Sequence, residues 1–373
     1  MGLYIFEYIW IDGYNNIRSK NKIVELKIDI DDLEYKDNYK KLLKYIESWS
    51  FDGSSTGQAT GKDSDVLLVP VNIFINPFIE KFTTCNGNIN SYLILCECYD
   101  KNNIVCETNT RNKCVETYKK CENKDPLFGI EQEYVIIDNK KDKPYLWNER
   151  LSNKIILDEN NCNEKFIDDE KYADKFYCGI GGDVCFGREI AEKHMIYSLK
   201  AGIKLCGTNS EVTPSQWEFQ VGPLNPLDVS DQLIVARYIL SRIAEEKGCS
   251  ITYDPKPCGT NFNGSGGHVN YSTYETRDND GLEKLFNLCE KLGTRHKEHM
   301  KVYGKDNHLR LTGIHETSNI DDFSWGVSDR GKSIRIPGHV YKNRYGYLED
   351  RRLAANLDPY LVTNIIMETT ILL

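Results

Sequence analysis

Two stretches near the start of the chain are rich in apolar aromatic and β-branched residues, as β-strands are. The first covers residues 4–12 and the second covers residues 23–28. Residues 13–16 between them have the glycine- and asparagine-rich composition of a turn. The pattern therefore predicts that the chain opens with a β-hairpin.

The apolar spacing then changes to that of a helix, beginning near Asp31 and Asp32, which could cap it. Its apolar positions are Tyr35, Tyr39, Leu42, Leu43 and Ile46. Residues 51–65 are polar and glycine-rich and predict a loop, and strand-like runs follow at residues 66–71 and 92–99.

A lysine-rich segment at residues 111–124 separates this strand-rich region from a second one. We therefore predict an N-terminal domain of residues 1–103 and a second domain of residues 104–373. A chain of 373 residues exceeds what one hydrophobic core usually supports, which favours two domains.

The second region alternates short strands with two helix-like segments, at residues 188–201 and 228–247. This α+β pattern predicts a large sheet with packed helices. Residues 138–176 are charged and lack periodicity, so we interpret them as a surface insertion rather than a functional lid. Residues 359–373 predict a final helix that docks on the main body.

Charge and composition narrow the possible functions. A formal net charge of −9 argues against a nucleic-acid binder, which needs clustered cationic side chains. No apolar run reaches membrane-span length and no secretion signal is recognisable, so we expect neither a membrane nor a secretory protein. Thirteen cysteines in such a chain indicate reduced thiols and a cytoplasmic location.

Acidic side chains recur within apolar strand patterns. Glu131 and Glu133 fall on one face of a predicted strand, and Glu218 shares a face with Gln220 on another. Glu211 lies just before the second strand, across a turn that can bring it back alongside. Paired carboxylates repel unless they share a proton, stay in water or bind a cation. Either pair alone would more often be a solvated strand edge.

Basic and imidazole groups accompany these acids. A glycine-rich turn leads into a strand with His268, and the segments near the C-terminus combine Glu349 with Arg351 and Arg330 with Arg335. Carboxylates with one imidazole and no thiolate favour Mg²⁺ or Mn²⁺ over zinc or copper. Acidic and arginine segments together suit phosphoryl transfer, although the chain contains neither a P-loop nor a Rossmann glycine motif.

Read together, these segments resemble glutamine synthetase, and the length resembles the eukaryotic-type branch of that family. The resembling segments occur in the order of the family at residues 51–55, 128–133, 216–220, 254–257, 263–268, 315–319, 333–337 and 349–352. The resemblance implies an α+β protein with a β-grasp-like N-terminal domain. It also implies a larger catalytic α/β domain on a curved antiparallel sheet of the glutamine synthetase and guanidino kinase type.

The resemblance also implies roles for individual residues. One metal would be bound by Glu131, Glu211 and Glu218, and a second metal by Glu133, His268 and Glu349. Substrate would be bound by Asn263, Gly264, Arg310, Arg335 and Arg351. The catalytic residues would be Asp52, supplied by an adjacent subunit, with Glu316, Arg330 and Arg351.

The implied reaction joins ammonium to glutamate at the expense of ATP, through γ-glutamyl phosphate. The implied assembly is a homo-oligomer of two stacked rings, such as a decamer, with Mg²⁺ or Mn²⁺ as cofactor. Two alternatives remain open. The chain could join glutamate to a larger amine, which a comparison of amines would reveal, or it could be a non-catalytic scaffold, which would lack tight metal sites.

Overall fold

The first strand pattern folds as the predicted hairpin. Strand β1 (Gly2–Ile11) pairs antiparallel with β2 (Ile17–Leu26). The carboxylate of Asp12 closes the turn, because its Oδ1 accepts hydrogen bonds from the backbone N–H groups of Tyr14 and Asn16, both at 2.8 Å. An aspartate that bonds the backbone two residues ahead is a common turn-former.

The computed structural model describes residues 2–26, 38–80, 82–84, 87–147, 175–259 and 262–373. The other strands in these ranges are β3 Trp49–Asp52, β4 Asp65–Ile75, β5 Phe82–Thr84, β6 Gly87–Asp100, β7 Leu127–Asp138, β8 Lys143–Pro144, β9 Leu205–Ser210, β10 Gln216–Leu224, β11 Cys249–Thr252, β12 Gly266–Ser272, β13 Trp325–Val327, β14 Ile334–Ile336 and β15 Leu348–Ala354. The α-helices are α1 Arg111–Cys121, α2 Arg188–Lys200, α3 Pro226–Glu246, α4 Tyr274–Arg277, α5 Gly281–Thr294, α6 His296–Met300, α7 Gly338–Asn343 and α8 Pro359–Met367.

The N-terminal sheet has the order β2-β1-β6-β4-β3, with β5 paired to β6. Strands β1 and β6 run parallel, and the other pairs are antiparallel. A 3₁₀-helix, Asn38–Tyr45, lies within the predicted helix, and its Leu42 side chain is fully buried. At eight residues it is longer than most 3₁₀-helices, which rarely exceed about four residues. Residues 31–37 of the predicted helix lie outside the described residues.

The second sheet has the order β13-β14-β15-β12-β7-β10-β9, with β11 and β8 paired to β7. Its pairs are antiparallel except for β13 and β14, which are parallel. The apolar side chains of β7 are buried in one core with those of α3, because Ile130, Tyr134 and Ile136 alternate with the acidic residues. The acidic side chains are thereby directed to the opposite face of the sheet.

Helix α3 begins two residues earlier than the sequence predicts. Asn225 caps it by accepting hydrogen bonds from the N–H groups of Leu227 and Asp228, and Pro226 occupies its first turn. Residues 111–124, predicted as a separating segment, instead include helix α1, which packs against α8 and α3. The final helix ends at Met367 and continues as a π-helical turn, Glu368–Leu372. Most of the predicted insertion at 138–176 lies outside the described residues.

Buried polar groups tie the N-terminal sheet to helix α3. The carboxylate of Asp231 accepts hydrogen bonds from Arg111 Nε at 2.8 Å, from Asn72 Nδ2 at 2.9 Å and from Tyr360 OH at 2.7 Å. A second carboxylate, that of Glu7 on β1, accepts from Arg242 Nη1 at 3.1 Å and from Tyr238. These contacts hold helix α3 against the N-terminal sheet.

None of the described helices has the length and apolarity that a membrane span requires. The cysteines of the described part are free thiols, as the sequence predicts.

The Asp231 contacts lead to a stability prediction. Replacing Asp231 with alanine leaves the largely buried guanidinium of Arg111 without its main partner, so the free energy of unfolding should fall by about 3 kcal/mol or more. Urea titration followed by circular dichroism measures this change. The exposed pair of Lys101 and Asp63 is the control, since Lys101→Met should cost less than about 1 kcal/mol. Equal losses in both variants would contradict the prediction.

Candidate active site

Strand register brings the acidic residues and the histidine together. On β10, Glu218 lies opposite Glu133 of β7 and Gln220 lies opposite Glu131. On the other side of β7, His268 of β12 lies opposite Glu131. Because directly opposed residues in antiparallel strands point to the same face, these side chains form one polar surface.

Strand β15 completes this surface with Glu349, which lies opposite Asn270 of β12. His268 Nδ1 is 3.2 Å from Glu131 Oε2 and 3.9 Å from Glu349 Oε1. The ligating atoms of these three residues all lie within 4.8 Å of one another, and they form the one such group found among the described residues. An octahedral Mg²⁺ places its oxygen ligands at 2.0–2.1 Å, so its ligands lie roughly 3 to 4 Å apart. Small side-chain movements would therefore close this group around one cation.

This grouping differs from the one that the resemblance implies. The resemblance placed Glu133 with His268 and Glu349, whereas the structure places Glu131 there. The reason is the register: Glu131 is the residue directly opposite His268, and Glu133 lies two positions farther along β7, opposite Glu218.

The second acidic group consists of Glu133, Glu211 and Glu218. Burial raises the pKa of Glu211 to about 7, and the negative charge of Glu133 adds to this effect. Burial also raises the pKa of Glu218 to about 9, with contributions from the charges of Glu131 and Glu133. Three buried carboxylates cannot all be ionised at neutral pH unless a cation compensates them. The group therefore either retains protons or binds a cation.

The Glu131 carboxylate is stabilised in its charged form. Burial alone would raise the pKa of Glu131, but hydrogen bonds from His268 and Asn270 and the nearby charge of Arg351 outweigh burial and lower it to about 2. Arg310 Nη2 lies 3.2 Å from His268 Nε2. Since a guanidinium only donates, His268 accepts at Nε2 and donates from Nδ1 to Glu131.

Arg310 is buried against the glycine-rich turn. A Cβ atom at Gly266 would lie 2.5 Å from its Nη2 atom, and one at Gly264 would lie 2.6 Å from its Cγ atom. Glycine is therefore required at both positions for the guanidinium to reach His268. Burial lowers the pKa of Arg310 to about 10, and the nearby charge of Glu133 limits the decrease.

Two further arginines bind the carboxylate of Glu349. Arg335 Nη1 donates to its Oε2 atom and Arg351 Nη1 to its Oε1 atom, both at 2.6 Å. Arg351 Nε also donates to the backbone carbonyl of Arg330 at 3.1 Å, while the Arg330 side chain is exposed. The polar face thus ends in a cationic cluster beside the acidic one.

Two predicted catalytic residues lie outside this face. Asp52 is at the end of β3 in the N-terminal sheet, and it is exposed. Hydrogen bonds from Ser54 and Ser55 lower the pKa of its carboxyl. Glu316 is also exposed, on a loop closed by a bridge between Thr312 and Asn319, where its φ of 57° is unusual for a non-glycine residue.

The structure adds two tyrosines that the sequence patterns did not single out. Burial raises the pKa of Tyr177, with added effects of neighbouring Cys178 and Glu211. Burial also raises the pKa of Tyr347, together with the charges of Glu131 and Glu349. Both phenols therefore lie close to the acidic face. No alternation marks either residue in the sequence, so only the tertiary structure reveals them.

Comparison with known proteins identifies the family of both regions. The family model for the glutamine synthetase β-grasp domain matches residues 4–101, and the model for the glutamine synthetase catalytic domain matches residues 108–287. Glutamine synthetase of Tuber borchii is 44% identical over 99% of this chain and 92% of its own length. Glutamine synthetase of Schizosaccharomyces pombe is 43% identical over 99% of this chain and 92% of its own length. Glutamine synthetase of Xenopus laevis is 43% identical over 98% of this chain and 85% of its own length.

A solved structure shares the fold. The cryo-EM structure of Plasmodium falciparum glutamine synthetase aligns with a TM-score of 0.68 and 17% sequence identity, over 98% of this chain and 71% of that one. The α+β fold class, with its β-grasp and catalytic domains, is confirmed by these matches and by the two sheets described above.

The raised pKa values predict a pH-dependent stability of the metal-free protein. Folded Glu211 and Glu218 retain protons that the unfolded chain releases near pH 4.5, so their contribution to stability is lost as pH rises from about 5 to 9. A divalent cation must displace these protons, so the rise in Tm caused by Mn²⁺ should be larger at pH 8.5 than at pH 6. Thermal melts in chelator and in Mn²⁺ measure both effects.

The matched control for this prediction is Glu218→Gln, which removes one titrating group and keeps the side-chain size. Its metal-free Tm should depend less on pH above pH 7 than that of the unchanged protein. A metal-free Tm that rises between pH 6 and 8.5 would contradict the assignment.

Proposed function

The chain belongs to the glutamine synthetase family, and from this membership we propose the chemistry of its site. It is a glutamate–ammonia ligase: it joins ammonia to the side-chain carboxylate of L-glutamate, using ATP. The products are L-glutamine, ADP and phosphate. The observation that best supports the site assignment is the single sheet face on which four glutamates and one histidine lie beside a cluster of arginines.

The donor set fits hard divalent cations, because it consists of carboxylate oxygens with one imidazole and contains no thiolate. We propose that one Mg²⁺ or Mn²⁺ is held by Glu131, His268 and Glu349, and a second by Glu133, Glu211 and Glu218. The raised pKa values of Glu211 and Glu218 support the second cation, because a bound cation would remove the repulsion between carboxylates that favours their protonated forms. When bound, the cations neutralise phosphate charge and orient the reacting groups.

The arginines are proposed to bind the anionic reactants. Arg335 and Arg351 present guanidinium groups at the end of the face, and Arg330 lies exposed above them. These groups suit the phosphate of ATP, where they neutralise the charge of the transferred phosphoryl group. Arg310, Asn263 and Gly264 are proposed to bind glutamate. The contact of Arg310 with the glycine turn supports a shared pocket.

The reaction has two stages in this proposal. The γ-carboxylate of glutamate attacks the terminal phosphorus of ATP, the bond to the ADP oxygen breaks, and γ-glutamyl phosphate forms. Ammonia then attacks the acyl carbon and displaces phosphate. Asp52 accepts the proton that ammonium must lose to become a nucleophile. Glu316 closes over the intermediate, because an acyl phosphate is readily hydrolysed by water.

The position of Asp52 supports a homo-oligomer. The residue is exposed on the N-terminal sheet and lies outside the acidic face of its own chain. We therefore infer that it completes the site of a neighbouring copy, in two stacked rings such as a decamer. A cytoplasmic location is also proposed, and the free cysteines of the described part agree with a reducing compartment.

The activity is tested by phosphate release from ATP and Mg²⁺ in the presence of glutamate, with ammonium, ethanolamine or a polyamine as the amine. We expect release to require both glutamate and ammonium, with glutamine as the second product. Turnover with a bulkier amine alone would instead establish a related ligase. A protein without turnover and without tight Mn²⁺ sites would be a non-catalytic scaffold.

The flap assignment is tested by Glu316→Ala. Because Glu316 is exposed and outside the core, the variant should keep its oligomeric state and its Tm while losing most glutamine synthesis. Size-exclusion chromatography and the activity assay measure the two properties. Glu298→Ala, another surface glutamate, is the control and should retain activity. Normal synthesis in Glu316→Ala would refute a role in closure.

A further inference from the structure

Side-chain amides bind four of the five glutamates that lie on the polar face or at its edge. Each of these carboxylates accepts one hydrogen bond from a nearby asparagine or glutamine. The pairs are Gln216 and Glu133 at 2.8 Å, Gln220 and Glu218 at 2.7 Å, Asn270 and Glu131 at 2.8 Å, and Asn209 and Glu211 at 3.0 Å. An amide is a neutral donor, so it orients a carboxylate without reducing the negative charge available to a cation.

Gln216 differs from the other three amides because its nitrogen has two acceptors. Its Nε2 atom donates to Glu133 Oε2 and also, at 3.1 Å, to the backbone carbonyl of Gly264. Its own backbone carbonyl accepts from the N–H group of Glu211 at 2.9 Å. One residue thus contacts two glutamates of the second acidic group and the glycine turn.

The orientation of this amide is determined by its partners. A carboxylate and a carbonyl only accept hydrogen bonds, so the NH₂ group of Gln216 must face them. Its Oε1 atom is then directed away, and it is buried with no hydrogen-bond partner among the described atoms. An unsatisfied buried acceptor costs about 1–3 kcal/mol.

Gln216 and the glycine turn bind the same oxygen of Glu133. The N–H group of Gly266 donates to Oε2 at 2.9 Å, the same atom that Gln216 binds. Neither donor takes Oε1, which leaves that oxygen to a cation. A movement of the glycine turn therefore displaces both the Gly266 donor and the Gly264 carbonyl that binds Gln216.

We propose that Gln216 is a positioning residue that couples cation binding at Glu133 to the conformation of the turn at Gly264. The coupling to glutamate rests on the proposed function, in which this turn binds glutamate. Cation binding fixes the position of the Glu133 carboxylate. Gln216, which is bound to that carboxylate, then holds the carbonyl of Gly264 in place. Glutamate and the cation then bind cooperatively, because each stabilises the arrangement that the other requires.

The test is isothermal titration of the purified full chain with Mn²⁺, with and without glutamate and at matched pH. In the unchanged protein, glutamate should tighten Mn²⁺ binding at one class of site by at least about fivefold, the lower end of typical coupling. In Gln216→Met, which keeps the side-chain length and removes the amide, Mn²⁺ binding alone should weaken. The effect of glutamate on it should also fall to less than twofold.

The control is Gln232→Met, the same substitution at a buried glutamine of α3 that accepts a hydrogen bond from the backbone of Lys204 at 2.7 Å. It should lower Tm to a comparable extent and leave the coupling unchanged. If Gln216→Met does not fold, Gln216→Glu provides the second variant, since it keeps the shape and replaces the donor with an acceptor.

The outcomes separate the two claims. A Gln216 variant with a lower Tm that retains both its Mn²⁺ affinity and the effect of glutamate would overturn the positioning role. The proposed function would remain intact. An unchanged protein that binds Mn²⁺ and shows neither glutamate coupling nor ligase turnover would overturn the proposed function and the coupling together. Loss of coupling in Gln216→Met, with coupling retained in Gln232→Met, would establish the role.

Discussion

The repulsion between carboxylates on the inner strands of the second sheet is the constraint on which the site depends. The register of β7 with β10 and β12 places Glu131, Glu133 and Glu218 side by side on one face. Their apolar neighbours on the same strands are buried beneath α3, so the acidic residues cannot rotate away without losing the core. The fold itself therefore creates a concentration of negative charge that protons or cations must compensate.

The other features of the site follow from this constraint. Neutral amides orient the acids without discharging them, while the arginines are confined to the end of the face at Glu349. Glycine at 264 and 266 allows Arg310 to approach from the side of the turn. The result is an acidic region next to a basic region, which we propose bind cations and the phosphate and carboxylate groups, respectively. This separation of charge is what an ATP-dependent ligase of glutamate requires.

Much of this arrangement could be predicted from the sequence, because strands impose a period of two on their side chains. That period alone places Glu131 with Glu133 and Glu218 with Gln220 on common faces. It does not determine which residue of one strand lies opposite which residue of the next, and for that reason the structure brings Glu131, and not Glu133, beside His268. Tyr177 and the double contact of Gln216 depend on turns and strand register, which leave no local pattern. The roles of Asp52 and Glu316 depend on assembly and closure, and they remain predictions.

The central claim is that this sheet face binds divalent cations in two groups set by strand register. The most direct test is anomalous diffraction at the manganese edge from crystals of the protein grown with Mn²⁺ and a non-hydrolysable ATP analogue. The account predicts one manganese peak among Glu131, His268 and Glu349, and a second among Glu133, Glu211 and Glu218. A peak that joins Glu133 to His268, or no peak on this face, would contradict it.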